Sequence, residues 1–321
     1  MDKIICSVII PMYNEEAVIP ETYRRLTGVM EGFGEPYELL FINDGSRDRT
    51  GEILRELCKS DRRVKLIDFA RNFGHQIAIT AGMDYAAGEC MVIIDGDLQD
   101  PPELIPDMIK LWRQGYEVVY GKRLSREGET FFKKFTAKCF YRILRRMTDV
   151  DIPVDTGDFR LIDRKVSEAL KQLPERNRYV RGLMSWVGYK QVAIEFQRSE
   201  RFAGETKYPL KKMIKLAMDG IMSFSYKPLK IATYVGSIIS FVSFFYLIAV
   251  LVQRIFWPES VQSGWASLIA VSLFFNGIIL LILGIIGEYI GRIYDEAKGR
   301  PLYIISRLDN MEDREGPRFK M

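Results

Sequence analysis

The sequence predicts an α/β fold: a mostly parallel sheet covered by helices, followed by amphipathic helices at a membrane interface and two transmembrane helices. Three observations carry this. Strand-like and helix-like runs alternate through the first 125 residues. Polar residues collect where the strand-like runs end. Two later stretches carry no charge over more than the roughly 20 residues a helix requires to cross a bilayer.

The strand-like runs are Ser7 to Pro11, Glu38 to Asn43, Val64 to Phe69, Met91 to Asp95 and Glu117 to Tyr120, with amphipathic stretches between them. This βαβα rhythm favours parallel pairing, because each helical crossover returns the chain to the same edge. Ligand sites of open α/β sheets lie at the carboxyl ends of the strands. There the sequence places Asn14 and Glu15, then Asp44, then Arg71 and Asn72, then the run DGDLQD from Asp95 to Asp100. Asp95, Asp97, Gln99 and Asp100 gather oxygen ligands suited to a hard divalent cation. A solvated turn is the competing reading of the same residues, since Asp and Gly are ordinary turn formers. After Arg123 the chain becomes basic and helical, and DTGDFRL from Asp155 to Leu161 reads as a turn that returns Asp155, Asp158 and Arg160 to the same mouth.

Ile231 to Gln253 and Ser260 to Gly287 contain no charged residue. The predicted organisation is therefore a catalytic domain over residues 1–204, amphipathic interface helices over 205–230, spans over 231–253 and 266–290, and a tail over 291–321. Lysines precede the first span and Arg292, Lys298 and Arg300 follow the second, whereas the intervening loop offers Arg254 and Glu259. By the positive-inside rule both termini and the catalytic domain face the cytoplasm, in a multi-pass protein of the inner (plasma) membrane. Between Glu205 and Lys230, six lysines against Glu205 and Asp219 leave +4, equal to the net charge of the whole chain. A basic amphipathic helix beside a span lies on anionic headgroups, at about 1 kcal/mol per basic residue. Gly277, Gly284 and Gly291 fall seven apart, a stripe of small residues that suits packing within the chain or self-association through the spans.

Composition excludes several classes. One histidine, His75, rules out multi-histidine metal centres, and no Gly-rich dinucleotide or Walker A fingerprint is present. The four cysteines form no CxxC pair and read as reduced core thiols. The N-terminal segment lacks a basic region and reads as a strand, not a signal peptide. The localised basic charge fits a membrane surface better than nucleic acid.

In order, the blocks IIPMYNEE from Ile9, FINDGSRDRT from Phe41, ARNFGHQIAITAGMDYA from Ala70, DGDLQDPPE from Asp95, DTGDFRL from Asp155 and RFAGETKY from Arg201 resemble the polyprenyl-phosphate glycosyltransferases of the GT-A, family 2 type. Bactoprenol glucosyltransferases are the nearer likeness, and dolichyl-phosphate mannosyltransferases a more distant one. The resemblance implies a GT-A nucleotide-sugar-binding, Rossmann-like domain. It also implies that Pro11, Tyr13, Glu15, Asp44 and Asp95 contact the nucleotide sugar. Asp95, Asp97 and Gln99 would hold Mg²⁺ or Mn²⁺, while Arg123, Arg201 and Lys207 would meet the acceptor phosphate. The loop GETKY departs from relatives that carry a serine before the lysine. Asp97 is implied in catalysis through the metal, and Asp158 matches the acidic residue named as the base of inverting members. A phosphate monoester is largely dianionic at neutral pH, so Asp158 is open to either that role or the orientation of a sugar hydroxyl or of Arg160.

The reading is an inverting, metal-dependent transfer of a hexose, glucose foremost, from a UDP-sugar to undecaprenyl phosphate at the cytoplasmic membrane face, for cell-envelope glycosylation. A processive polysaccharide synthase of the same fold is the alternative enzyme, but two spans enclose no translocation path and no QxxRW block is present. A membrane scaffold retaining nucleotide-sugar binding is the non-catalytic alternative.

Overall fold

The computed structural model describes residues 3–124, 153, 156–173, 175–197, 222, 225–256 and 264–311. Strands β1 (Cys6–Met12), β2 (Tyr37–Asn43), β3 (Val64–Phe69), β4 (Cys90–Ile93), β5 (Val118–Arg123), β6 (Thr156–Asp163), β7 (Gln191–Phe196) and β8 (Ile305–Asp309) form one sheet in the order β7-β5-β6-β4-β1-β2-β3-β8. β4, β1, β2 and β3 run parallel, and β5 pairs parallel with β7. β6 and β8 run against their neighbours. The sheet is thus mixed and mostly parallel, as the alternating pattern predicts.

Helices α1 (Ile19–Phe33), α2 (Thr50–Ser60), α3 (His75–Tyr85), α4 (Ile105–Arg113), α5 (Arg164–Lys171) and α6 (Val180–Trp186) cover the sheet. Two apolar layers result. Val8, Ile10, Phe41 and Phe159 bury one face with Leu26 and Leu54, and Ile9, Ile42, Ile93 and Ile162 bury the other with Ile79 and Val166. A parallel strand covered on both faces reads as a continuous apolar run, which is why β1 and β2 are buried throughout.

Two sequence expectations change. The DTGDFRL segment contributes a strand rather than a turn: β6 lies between β4 and β5 and is buried along nearly its whole length. Its polar residues hide the strand pattern because Asp158 and Arg160 point into the site-bearing layer instead of to solvent. The segment after the second span is also more than a tail. Its β8 extends the catalytic sheet against β3, with Ile305 opposite Phe69 and Asp309 opposite Leu66. Asn310 then donates to the carbonyls of Cys58 and Val64 at 2.7 and 2.8 Å, capping the turn between α2 and β3.

The long helix α7 (Lys227–Phe256) extends past its uncharged stretch at both ends, and α8 (Trp265–Ala297) runs ten residues beyond the C-terminal end of its own. Each contains a window apolar enough to span a bilayer, with mean hydropathy of 1.4 and 1.9, and neither window is buried in the protein. A Cβ built on Gly277, Gly284, Gly287 or Gly291 meets nothing within 4 Å, so the glycine stripe is not packed against described parts of the chain. The basic amphipathic segment, including Lys211, Lys212 and Lys215, lies outside the described residues.

Candidate active site

The carboxyl ends of β1, β2, β3 and β4 open on one side of the sheet, and the predicted residues gather there. After β1, the YNEE segment is laced to the loop following β2. Asn14 N–H donates to Ser46 Oγ at 2.9 Å, Arg47 N–H donates to Asn14 Oδ1 at 2.8 Å, and Glu15 N–H donates to Thr50 Oγ1 at 2.9 Å. Gly45 makes the turn possible: its φ is +63°, and a Cβ there would sit 2.4 Å from the Arg71 carbonyl carbon. Pro11 is buried within β1, with Tyr13 and Glu15 just beyond its end.

Asp44 is 3 % exposed, and its carboxylate organises the loop into α3. It accepts from Phe73 N–H at 2.7 Å, Gly74 N–H at 3.0 Å and Asn72 Nδ2 at 2.9 Å. Burial raises its carboxyl above the ordinary range, opposed by the two backbone donors. These bonds explain why an acid follows β2: it satisfies donors before the first turn of a helix. Arg71 lies over the Phe73 ring at 4.0 Å on the outer side of the same loop.

At the end of β4, Asp97 is 8 % exposed, and its Oδ1 accepts from Gln99 N–H at 3.1 Å, the Asx turn that folds DGDLQD back on itself. Asp95 Oδ1 is buried and has no hydrogen-bond partner among the described residues; its near neighbour is His75 Nε2 at 3.4 Å. Burial pushes the Asp95 carboxyl up, with His75 pulling against it. Among the described residues no group of three or more His, Cys, Asp and Glu side chains converges as a metal cage. Two carboxylates with an orphaned oxygen suit a hard divalent cation that takes its remaining ligands from phosphates and water, so the chemistry of Asp95 and Asp97 fits such an ion, with Gln99 on the same turn.

Asp158, on β6, is 5 % exposed. Arg181 of α6 grips it with a fork, Nε to Oδ1 at 2.7 Å and Nη2 to Oδ2 at 3.0 Å. His75 Nε2 lies 3.2 Å and Gln76 Nε2 3.3 Å from its Oδ2. Burial works against the charge, but the Arg181 and His75 cations outweigh it and hold the carboxyl well below the usual range. For His75, burial favours the neutral ring, yet Asp95 and Asp158 push its pKa up to about 9. Arg160 donates to Gly157 O and Met184 Sδ, and burial lowers its pKa to about 10.

Arg123 closes the mouth from β5. Its guanidinium lies 3.5 Å from Asp100 Oδ1 and against Gly157, where a Cβ would come within 2.6 Å of Nη2. Its Nε is buried without a hydrogen-bond partner among the described residues. Arg201 and Lys207, and also Asp155, fall outside the described residues.

Sequence reasoning did not single out His75, Gln76 or Arg181 for this cluster. His75 carried a faint signal as the chain's sole histidine inside a resembling block. Arg181 carried none, because α6 is a short helix whose approach to β6 is decided by packing.

A mostly parallel α/β sheet of this order, with acidic residues after its strand ends, is the fold of a glycosyltransferase of the GT-A kind. The chain belongs to glycosyl transferase family 2, whose model matches residues 7–171, and residues 227–293 match the GtrB C-terminal hairpin. The uncharacterized glycosyltransferase YkcC of Bacillus subtilis (strain 168) is 63 % identical over 96 % of this chain and 95 % of its own length. The prophage bactoprenol glucosyl transferase homolog of Escherichia coli (strain K12) is 42 % identical over 94 % of this chain and 98 % of its own. Among solved structures, the glucosyl-3-phosphoglycerate synthase of Mycobacterium tuberculosis, crystallised with Mn²⁺, UDP and glucosyl-3-phosphoglycerate, is 20 % identical. It covers 68 % of this chain and 77 % of that one, with a TM-score of 0.46.

Proposed function

We propose that this glycosyltransferase moves glucose from UDP-glucose to undecaprenyl phosphate at the cytoplasmic face of the membrane, with inversion at the anomeric carbon. The observation that carries the reading is the placement of one mouth between two chemistries. Asp95 and Asp97 stand at the β4 end for the donor diphosphate, and the half-buried Arg123 guanidinium lies 3.5 Å from Asp100 Oδ1, at the other end of the same acidic run, for a second phosphate. The apolar hairpin joins the sheet at that same side: after α8 the chain enters β8 beside the carboxyl end of β3, where Ala70 N–H donates to Ile304 O at 3.0 Å. A lipid phosphate at headgroup level therefore meets the site without leaving the bilayer, and pre-positioning replaces a costly encounter.

An oxygen of the acceptor phosphate attacks the anomeric carbon as the bond from that carbon to the UDP oxygen breaks, and the electron pair leaves on UDP. No proton has to move, since the acceptor is already ionised. Pro11, Tyr13 and Glu15 border the nucleotide, and Asp44 shapes the loop beside it. Asp95, Asp97 and Gln99 would hold the divalent cation, which when bound offsets the charge developing on the departing diphosphate. Arg123, with Arg201 and Lys207, orients the acceptor phosphate; a guanidinium fork suits phosphate oxygens.

Because β8 shares a sheet with β1, the domains before and after the hairpin lie on one side of the membrane, which supports cytoplasmic placement of both termini. The outward-facing glycine stripe supports self-association through the spans.

The test is transfer of radiolabel from a panel of UDP- and GDP-sugars to undecaprenyl phosphate by purified protein, with and without Mg²⁺ or Mn²⁺. Label entering the organic phase from UDP-glucose, only with metal, is the expected result. Transfer of another sugar corrects the donor, and absence of transfer with every donor rejects the reading.

A further inference from the structure

We propose that Asp158 is an anchor and not a base: it fixes His75 against Asp95 and holds the Arg181 fork, which makes His75 and Arg181 positioning residues for the donor side of the site. The proposal rests on the transferase reading above.

The geometry argues it directly. An ionised carboxylate offers about four acceptor directions on two oxygens. Arg181 bridges both oxygens, Nε to Oδ1 at 2.7 Å and Nη2 to Oδ2 at 3.0 Å, and Gln76 and His75 both approach Oδ2, at 3.3 and 3.2 Å. Oδ2 thus has three partners, Oδ1 is held by Arg181 Nε, and the side chain is buried. Gln76 and Arg181 are themselves pinned. Gln76 Oε1 accepts from Val180 N–H at 3.0 Å, and Arg181 Nη1 donates to Thr156 O at 3.2 Å. The start of α3, the strand β6 and the start of α6 are thereby joined through one carboxylate.

His75 is the outlet of this brace. Its Nε2 reaches both Asp158 and Asp95 Oδ1, and that Asp95 oxygen has no hydrogen-bond partner among the described residues. A partner in this place orients a carboxylate that must meet a cation and a diphosphate, and loss of such support costs about 10–100-fold in metal affinity or activity. The chemistry agrees, because transfer to an ionised phosphate forms one C–O bond and breaks another with no proton to abstract.

The experiment uses the full chain in detergent with Mn²⁺, comparing D158N, R181Q, H75A, H75Q and the D158N/R181Q double variant. For each, kcat, the KM for donor and acceptor, Mn²⁺·UDP affinity and thermal unfolding are measured. An anchor predicts that D158N, R181Q and H75A each lower kcat by ~10–100-fold and weaken Mn²⁺·UDP binding about tenfold or more. The double variant is no slower than the slower single variant, because both remove one unit. H75Q, whose amide can donate to a carboxylate, recovers part of the H75A loss. Loss of ~10⁴-fold in folded D158N, with R181Q and H75A keeping about a tenth of wild-type turnover, makes Asp158 a base and overturns the proposal. If D158N does not fold, H75A and H75Q carry the test, since the His75 side chain is 30 % exposed. If wild type transfers no sugar, the transferase reading fails by itself, and the brace is read from Mn²⁺·UDP affinity. An approximately tenfold or greater change in H75A supports the anchor, and an unchanged value overturns it.

Discussion

Tyr303 donates a hydrogen bond to Asp84 Oδ2 at 2.9 Å, joining the chain that follows the two long apolar helices to the helix that begins with His75. Its ring also stacks on Phe69 at 5.3 Å. The C-terminal segment is thus part of the catalytic fold, and it ties α3 to β3 at the edge of the site.

Tyr303→Phe keeps the stacked ring and removes the donor, leaving Asp84 with less support in a place where burial already raises its carboxyl. The cost is about 1–3 kcal/mol. A lower melting temperature of the detergent-solubilised protein, with turnover retained at low temperature, is the expected outcome.

Asp97→Asn preserves the Oδ1 acceptor for Gln99 N–H, so the turn and the fold persist. On the proposed metal role of Asp97 the substitution weakens a cation ligand, and several kcal/mol of transition-state stabilisation are at stake. Turnover should fall at least ~100-fold with membrane insertion and melting temperature unchanged. Retained metal-dependent turnover would remove Asp97 from the metal site.

Gly157→Ala places a methyl where the Arg123 guanidinium now lies. The obstacle is the end of a flexible side chain, so the fold gives way there and Arg123 swings out. The KM for undecaprenyl phosphate should rise about tenfold, the value of one charge-assisted contact, while UDP affinity stays unchanged. Acceptor titration at saturating donor checks this.

Asp158 has a carboxyl held below its ordinary range by Arg181 and His75 against the penalty of burial. A depressed folded-state pKa contributes stability that is present above the unfolded value near 3.9 and lost as pH falls through the folded value. The melting-temperature gap between wild type and Asp158→Asn should therefore hold constant from about pH 7 to 5 and narrow below about pH 4. A gap independent of pH down to about pH 3 would contradict the ion pair.

The four central strands, the helices between them, the two long apolar helices and the carboxylates after β4 were legible in the sequence because each is local. Apolar runs, uncharged length and turn chemistry report on neighbours along the chain. Asp97 and Gln99 share a turn two residues wide, so their proximity needs no tertiary information.

What only the tertiary structure decided was everything set by distant packing. DTGDFRL became a strand because β4 and β5 leave a gap that β6 fills antiparallel, burying Phe159 on one face and presenting Asp158 on the other. Asp44 took three donors from a loop some 30 residues away. Asp158 met Arg181 across 23 residues and His75 across 83, and β8 returned to β3 from beyond the hairpin. A sequence determines which residues are apolar, charged or able to turn. The partner of a buried charge is chosen by which elements must close over it to keep it hydrogen-bonded.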